Sequence, residues 1–200
     1  ARRQALPARS AGALRLMRLC LAILLTALAG AASADESVRI CHGYGCLAQA
    51  HIRYSEGQLG LVRRIMARAT DAPSERERLA ETLGSLYAWG GEQSDIHNDR
   101  GGNYADDQVS GRMDCIDHST STTRLLHLLV RRGYLRWHRV LEPQSRNFAG
   151  LVPVHWSAVI EETQENEPRR FVVDSWFVDN GQPAVILPLE EWKKGAGPDV

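Results

Sequence analysis

Residues 152–178 read VPVHWSAVI, EETQENEPRR and FVVDSWFV in succession. The outer segments are β-branched and aromatic, and the middle one is polar. The stretch therefore predicts two antiparallel strands, Val152–Ile160 and Phe171–Val178, joined by a turn over Glu161–Pro168. Setting Ile160 opposite Arg169 makes Val154, Trp156, Ala158 and Ile160 share a face with Phe171, Val173, Ser175 and Phe177, an apolar surface suited to packing on helices. On the other face His155 falls opposite Asp174, at about 5 Å between Cβ atoms. This register is chosen from hydrophobic pattern alone and is open to a slip of two residues. A carboxylate inside VVDSWF is costly to bury alone, so it calls for a partner such as an imidazolium.

Around this hairpin, Trp137–Leu141 and Ala184–Leu187 read as two further strands, with Asn180-Gly181 as a tight-turn signal between Phe171–Val178 and Ala184–Leu187. Helical spacing dominates before them. Leu59, Leu61, Val62, Ile65 and Met66 mark an amphipathic helix over Gln58–Ala69. Asp71-Ala72-Pro73 starts a second, which carries Leu79, Leu83 and Leu86 inward and ends at Gly90-Gly91. Asp114 is an N-cap for a third, with Asp117 at the N3 position, Leu125, Leu126, Leu128 and Leu129 following, and Arg131-Arg132-Gly133 as the stop. Helices first and an antiparallel sheet afterwards predict an α+β domain. Gly90–Met113 shows neither period and reads as a long loop. Asp95, Asp99, Asn103 and Asp106 are spaced as in a calcium loop, but Arg100 stands where such a loop needs glycine and no glutamate closes it. A solvated lid is the better reading.

The chain has 200 residues, 44% of them hydrophobic and 24% charged, which is globular composition. Its formal charge of zero is an average. Residues 1–34 hold Arg2, Arg3, Arg9, Arg15 and Arg18 and no acid; removing those five from the 24 basic residues leaves 19 against 24 acidic ones, a net −5. An acidic domain lacks the field that gathers phosphate backbones, so nucleic-acid binding is not expected. Met17-Arg18, the apolar run Leu19–Gly30 and Ala32-Ser33-Ala34 read as a secretory signal peptide over residues 17–34, cut before Asp35. Its apolar run is shorter than the roughly 20 residues that span a bilayer. The expectation is a periplasmic or secreted single domain over 35–200 with no stable membrane span. Export puts the cysteines in an oxidising compartment. Cys41 and Cys46 flank the flexible HGYG spacer and are expected to form a disulfide, in preference to a metal site with His42 or His51. Cys115 is left unpaired.

Cys115 falls at the first position of the third helix, where backbone N–H groups lack partners and the dipole is positive, a setting that favours a thiolate and can receive an oxyanion. Asp114 and Asp117 oppose this unless they point away. Cys115, His155 and Asp174 together offer a nucleophile, a general base and an orienting acid. His118 is a competing base one turn along the helix, poorly placed on the substrate side, and is expected to cap or pack instead. Asp179 is a reserve for the acid but sits in turn chemistry.

MDCIDH (113–118) at a helix head, PVHWSAV (153–159) on one strand and VVDS (172–175) on the next resemble the transglutaminase-like superfamily, closest to the bacterial transglutaminase-like cysteine proteinases. The resemblance covers about Trp89–Phe177. It implies a papain-like core with N-terminal helices on a small antiparallel sheet, Cys115 as nucleophile, His155 as base and Asp174 as orienter. Those proteinases typically carry Asp-Cys-Glu-Asp around the nucleophile, where acids can hold calcium. Here Asp114 and Asp117 match but Ile116 replaces the Glu, so they are calcium candidates on an incomplete pattern, and no cofactor is required. The resemblance also implies an additional oxyanion donor, for which Trp89 is the candidate. The function expected is an exported cysteine hydrolase, a peptidase acting on protein or peptide amides through an acyl-thioester. The alternatives are a protein-crosslinking transglutaminase and a catalytically silent binding module that recognises partners through the 91–113 loop.

Overall fold

A computed structural model describes residues 35–147, 154–163 and 168–198. The expected leader, the start of the predicted 152–160 strand and residues 164–167 of the predicted turn lie outside the described residues. The first element is one that the sequence reading missed. Strands β1 (Glu36–His42) and β2 (Ala48–Tyr54) form an antiparallel hairpin in which Val38 pairs with Ile52 and Ile40 with Ala50. Val38, Ile40, Ile52 and Tyr54 are buried, while Ser37, Arg39, His51 and Arg53 face outward. That is strand alternation. The Cys41–Cys46 disulfide closes the connection, as expected.

Three helices begin where side chains can satisfy their unpaired N–H groups. Helix α1 (Glu56–Met66) starts two residues before the predicted position, at Ser55, whose hydroxyl is answered by Gln58. Helix α2 (Ala72–Gly91) is capped by Asp71 and Ser74, with proline in its first turn. Helix α3 (Cys115–Arg131) is capped by Asp114, and Asp117 completes the reciprocal pair. Strands β3 (His138–Arg146), β4 (His155–Glu162), β5 (Arg170–Asp174) and β6 (Val185–Pro188) then form one antiparallel sheet in chain order, and a short helix α4 (Leu189–Lys193) follows. The architecture is mixed α+β, with four α-helices and two small antiparallel sheets among the described residues.

The β4–β5 register corrects the expected one. Ile160 pairs with Phe171, not Arg169, and Ala158 with Val173. The slip is two residues, so both faces keep their identity. The predicted helix-facing surface is shorter than expected, because β5 ends at Asp174. Ala158, Ile160, Phe171 and Val173 join the main core with residues of α1–α3 and the β1–β2 hairpin. Val154 and Trp156 remain exposed. Phe177 turns to the opposite face of the sheet, where it packs with Val159, Val172, Trp176, Leu189 and Trp192 in a second cluster. Asn180-Gly181 does form a turn, closed by Gln182 N–H on the Asp179 carbonyl, but inside a longer connection rather than a two-residue hairpin.

The 99–114 segment is solvated, as expected, with residues 104, 105 and 107–110 exposed, and it is also tied down by its own contacts. Asp99 is buried and accepts the Met113 N–H at 2.9 Å. The Ser110 hydroxyl donates to Asp95, Asn103 donates to Asp106, and Asp106 pairs with Arg112. Only glycine fits at 111, where φ is +87° and a Cβ would lie 1.9 Å from the Asp95 carbonyl oxygen.

The join between α2 and β3 rests on one buried carboxylate. Glu75 accepts the backbone N–H groups of Arg136 (2.6 Å) and Trp137 (3.0 Å), and its Oε2 lies 2.8 Å from Nδ1 of the buried His138. Removing it strands two amides and an imidazole. Glu75→Ala is expected to lower the unfolding free energy in urea denaturation by about 3–5 kcal/mol, with Glu75→Gln recovering part of the loss. A change under about 1 kcal/mol would show the contacts to be dispensable.

Candidate active site

The capping box that starts α3 places Cys115 as its first residue. The thiol is half-buried against the second apolar cluster, with Sγ 3.8 Å from the Val154 carbonyl oxygen at the start of β4. It is the one free cysteine among the described residues. The N–H groups of Cys115 and Ile116 have no acceptor among the described residues, while that of Asp117 is taken by Asp114 Oδ1 at 2.8 Å.

His155 opens β4, and its Nε2 lies 2.7 Å from Oδ2 of Asp174 at the end of β5. In the observed register Asp174 falls opposite Ser157, so the imidazole reaches it diagonally, two residues along the strand. With Nε2 engaged, Nδ1 is the nitrogen left for Cys115, whose thiol is close enough to the ring to raise its pKa. Burial pulls the His155 pKa down. The bond to Asp174, the bond to Cys115 and the attraction of both groups outweigh that, and the net shift is upward. Rings of Trp176, Phe177 and Trp192 surround the imidazole at centroid distances of 4.7, 5.5 and 5.7 Å. Cys115, His155 and Asp174 are therefore brought together from three elements.

Asp174 is 1% exposed, so its charge depends on protein donors. Oδ2 also accepts the indole N–H of Trp192 at 3.1 Å, and Oδ1 accepts the Trp176 backbone N–H at 3.2 Å. Arg146 lies over the Trp192 ring at 4.9 Å and donates to the carbonyls of Trp192 and Ala196. Trp192 is a site residue that the sequence reading missed. It lies in the short C-terminal α4, beyond the recognised motifs.

The two carboxylates beside the thiol in sequence are engaged by backbone N–H groups. Asp117 Oδ1 accepts the Cys46 N–H at 2.6 Å and Oδ2 the Tyr44 N–H at 2.8 Å. Asp114 Oδ2 accepts the Gly45 N–H at 2.9 Å. Burial and the charge of Asp114 push the Asp117 pKa up to about 6, against the pull of these N–H bonds. Every oxygen of the two calcium candidates thus faces an N–H donor, a setting that suits an anion rather than a cation. Cys41 and Cys46 sulfurs lie near Asp117 as well, but joined in a disulfide they offer no thiolate to a metal.

His118 is not available as a base. It is buried, with Nδ1 2.8 Å from Ser175 Oγ and Nε2 2.9 Å from Asp99 Oδ2. Burial lowers its pKa, but Asp99 more than compensates and the net shift is upward. Asp179 accepts from Arg100 and the Gly101 N–H at the surface, as turn chemistry predicts. Trp89 packs against the main core, whereas Cys115 packs against the second cluster. Among the described residues no helix is long and apolar enough to cross a membrane. Comparison of the chain with protein-family models, with curated proteins and with solved structures finds no match to any of them.

Proposed function

We propose that this chain is an exported cysteine hydrolase of the transglutaminase-like, papain-like type, acting on protein or peptide amides in the periplasm or outside the cell. The observation that carries the reading is the Asp174–His155 contact of 2.7 Å beside a lone thiol at a helix head. His155 takes the Cys115 proton, and the sulfur attacks the amide carbonyl carbon as the C=O electron pair moves onto oxygen. The N–H groups of Cys115 and Ile116 receive that oxyanion. The imidazolium then returns its proton to the amide nitrogen, the C–N bond breaks, and an acyl-thioester remains. Water, deprotonated by His155, attacks the thioester, and the C–S bond breaks to release a carboxylic acid and the thiol. Asp174 holds the ring in the orientation that points Nδ1 at sulfur and stabilises the imidazolium. An amine reaching the thioester in place of water makes the same centre a crosslinker. No step needs a cofactor.

At pH 6 an ordinary free thiol is ionised to only about 0.3%. In the purified protein Cys115 is expected to react with iodoacetamide at that pH on the order of tenfold or more faster than free cysteine. His155→Ala should abolish the excess. A rate no greater than that of free cysteine at both pH 6 and pH 8 overturns catalysis and leaves the binding module.

Because the His155 pKa is raised, the imidazolium persists as pH rises past its ordinary value near 6.5. Asp174→Asn removes the largest upward influence, and the pH dependence of alkylation should move to lower pH. An unmoved profile would show that Asp174 does not tune the base. Among exported proteins, cleavage products present with the wild type and lost with Cys115→Ser identify the substrate.

A further inference from the structure

The residues Gly43, Tyr44, Gly45 and Cys46 all have positive φ, at +80°, +66°, +65° and +59°. Tyr44 and Cys46 each hold this left-handed conformation, which residues with a Cβ rarely adopt. Such conformations persist only where the surroundings over-determine them. Here two constraints do so. The Cys41–Cys46 bond closes the ring, and the N–H groups of Tyr44, Gly45 and Cys46 converge on Asp117 and Asp114. Successive N–H groups turned to one side in this way form a nest for carboxylate oxygens. Asp117 is 0% exposed, so without the nest its charge lies buried beside Asp114. The ring is tied down elsewhere by Cys41 N–H on Ser121 Oγ, Gly43 N–H on the Arg112 carbonyl and the Tyr44 hydroxyl on Asp106.

The two carboxylates held by the nest are the N-cap and N3 residues of α3, on either side of Cys115 in sequence. They fix the first turn of the helix and are themselves kept off the thiol. We infer that Asp117 is a positioning residue for the nucleophile and that the Cys41–Cys46 bond is the redox switch that keeps it in place, so that the site is assembled only when that disulfide is formed. The inference rests on Cys115 being the nucleophile proposed above. In the switching step a dithiol reductant attacks the Cys41–Cys46 bond by exchange. The S–S bond breaks, Cys41 and Cys46 become thiols, and the dithiol is oxidised to its own disulfide, two electrons passing to the protein. The freed loop relaxes from its left-handed conformations, its N–H groups leave Asp117 and Asp114, and uncompensated negative charge is left beside the thiol. The chain would therefore be silent in a reducing cytoplasm and competent after export.

The test uses the full mature protein and reads Cys115 alone, by mass spectrometry of its peptide after iodoacetamide at pH 6. Expected rates are fast for the oxidised wild type, and about tenfold slower both for the protein reduced and freed of reductant and for Cys41→Ser/Cys46→Ser. Asp117→Asn keeps the disulfide and presents an amide N–H₂ to the loop's N–H donors, so it should slow alkylation as well; removal of the negative charge alone would speed alkylation and move its profile to lower pH, and that outcome overturns the positioning role. This variant remains informative where the double serine variant fails to fold. A purely structural disulfide would lower the thermal midpoint in these proteins without changing the Cys115 rate of the folded fraction, and that result overturns the switch while leaving the hydrolase reading intact. A slow thiol in the oxidised wild type overturns both.

Discussion

Asp174 has almost no contact with water, and the arrangement of the second half of the molecule follows from that. A bare carboxylate in such a place costs several kcal/mol, so it must be met by donors that come from somewhere. They come from three parts of the chain: the imidazole of β4, the backbone just past β5 and the indole of α4. Meeting the carboxylate pins the ends of those elements to one another. It also decides the chemistry of His155. Burial among Trp176, Phe177 and Trp192 pulls its pKa down; Asp174 and Cys115 outweigh that pull, and the net shift is upward. The apolar cluster and the charge are parts of one device, since the rings exclude the water that would otherwise weaken the ion pair.

The head of α3 poses the opposite problem. The Cys115 thiol sits between two carboxylates in sequence, and in the proposed reaction either would resist loss of its proton if it faced the sulfur. The capping box turns one oxygen of Asp114 to the Asp117 amide, and the loop of the N-terminal hairpin takes the remaining three. A segment that lies about 70 residues earlier in the chain thereby sets the electrostatics of the helix end. The helix N-terminus then acts on Cys115 through its dipole and its unpaired N–H groups with less opposition from its own caps.

What the sequence made legible was local. Helix starts at Asp71 and Asp114 are written in cap chemistry that acts over three residues, and both are found where the reading put them. The β1–β2 hairpin carries an equally plain alternation, Val38 and Ile40 against Ile52 and Tyr54, but its turn is a six-residue ring closed by Cys41 at the end of β1 and Cys46 in the connection, with none of the usual two-residue turn signals. The reach of Trp192 back to Asp174 could not be read, because nothing in the LEEWK segment distinguishes an indole that donates to a carboxylate from one that only fills space. The binding of Asp114 and Asp117 by the 43–46 loop was likewise hidden. It depends on backbone N–H groups in left-handed conformations, and two of the four residues involved are not glycine.

The β4–β5 register differs from the expected one by two residues. Hydrophobic pattern fixes which face a residue occupies, but it leaves pairings that differ by two residues nearly degenerate. Here the alternatives are separated by long-range detail: β5 stops at Asp174 and the next residue, Ser175, turns to meet His118 and Thr122 of α3. Moving the partner of Ile160 from Arg169 to Phe171 sets an aromatic ring rather than a guanidinium against the core. The His155–Asp174 contact survives the shift because a diagonal neighbour on the same face, at about 7–8 Å between backbones, is still within reach of an imidazole and a carboxylate. A slip of one residue would have sent the two groups to opposite faces. The pairing of His155 with Asp174 therefore depends on parity along the strands more than on register, and parity is what alternation in VPVHWSAVI and FVVDSWFV encodes.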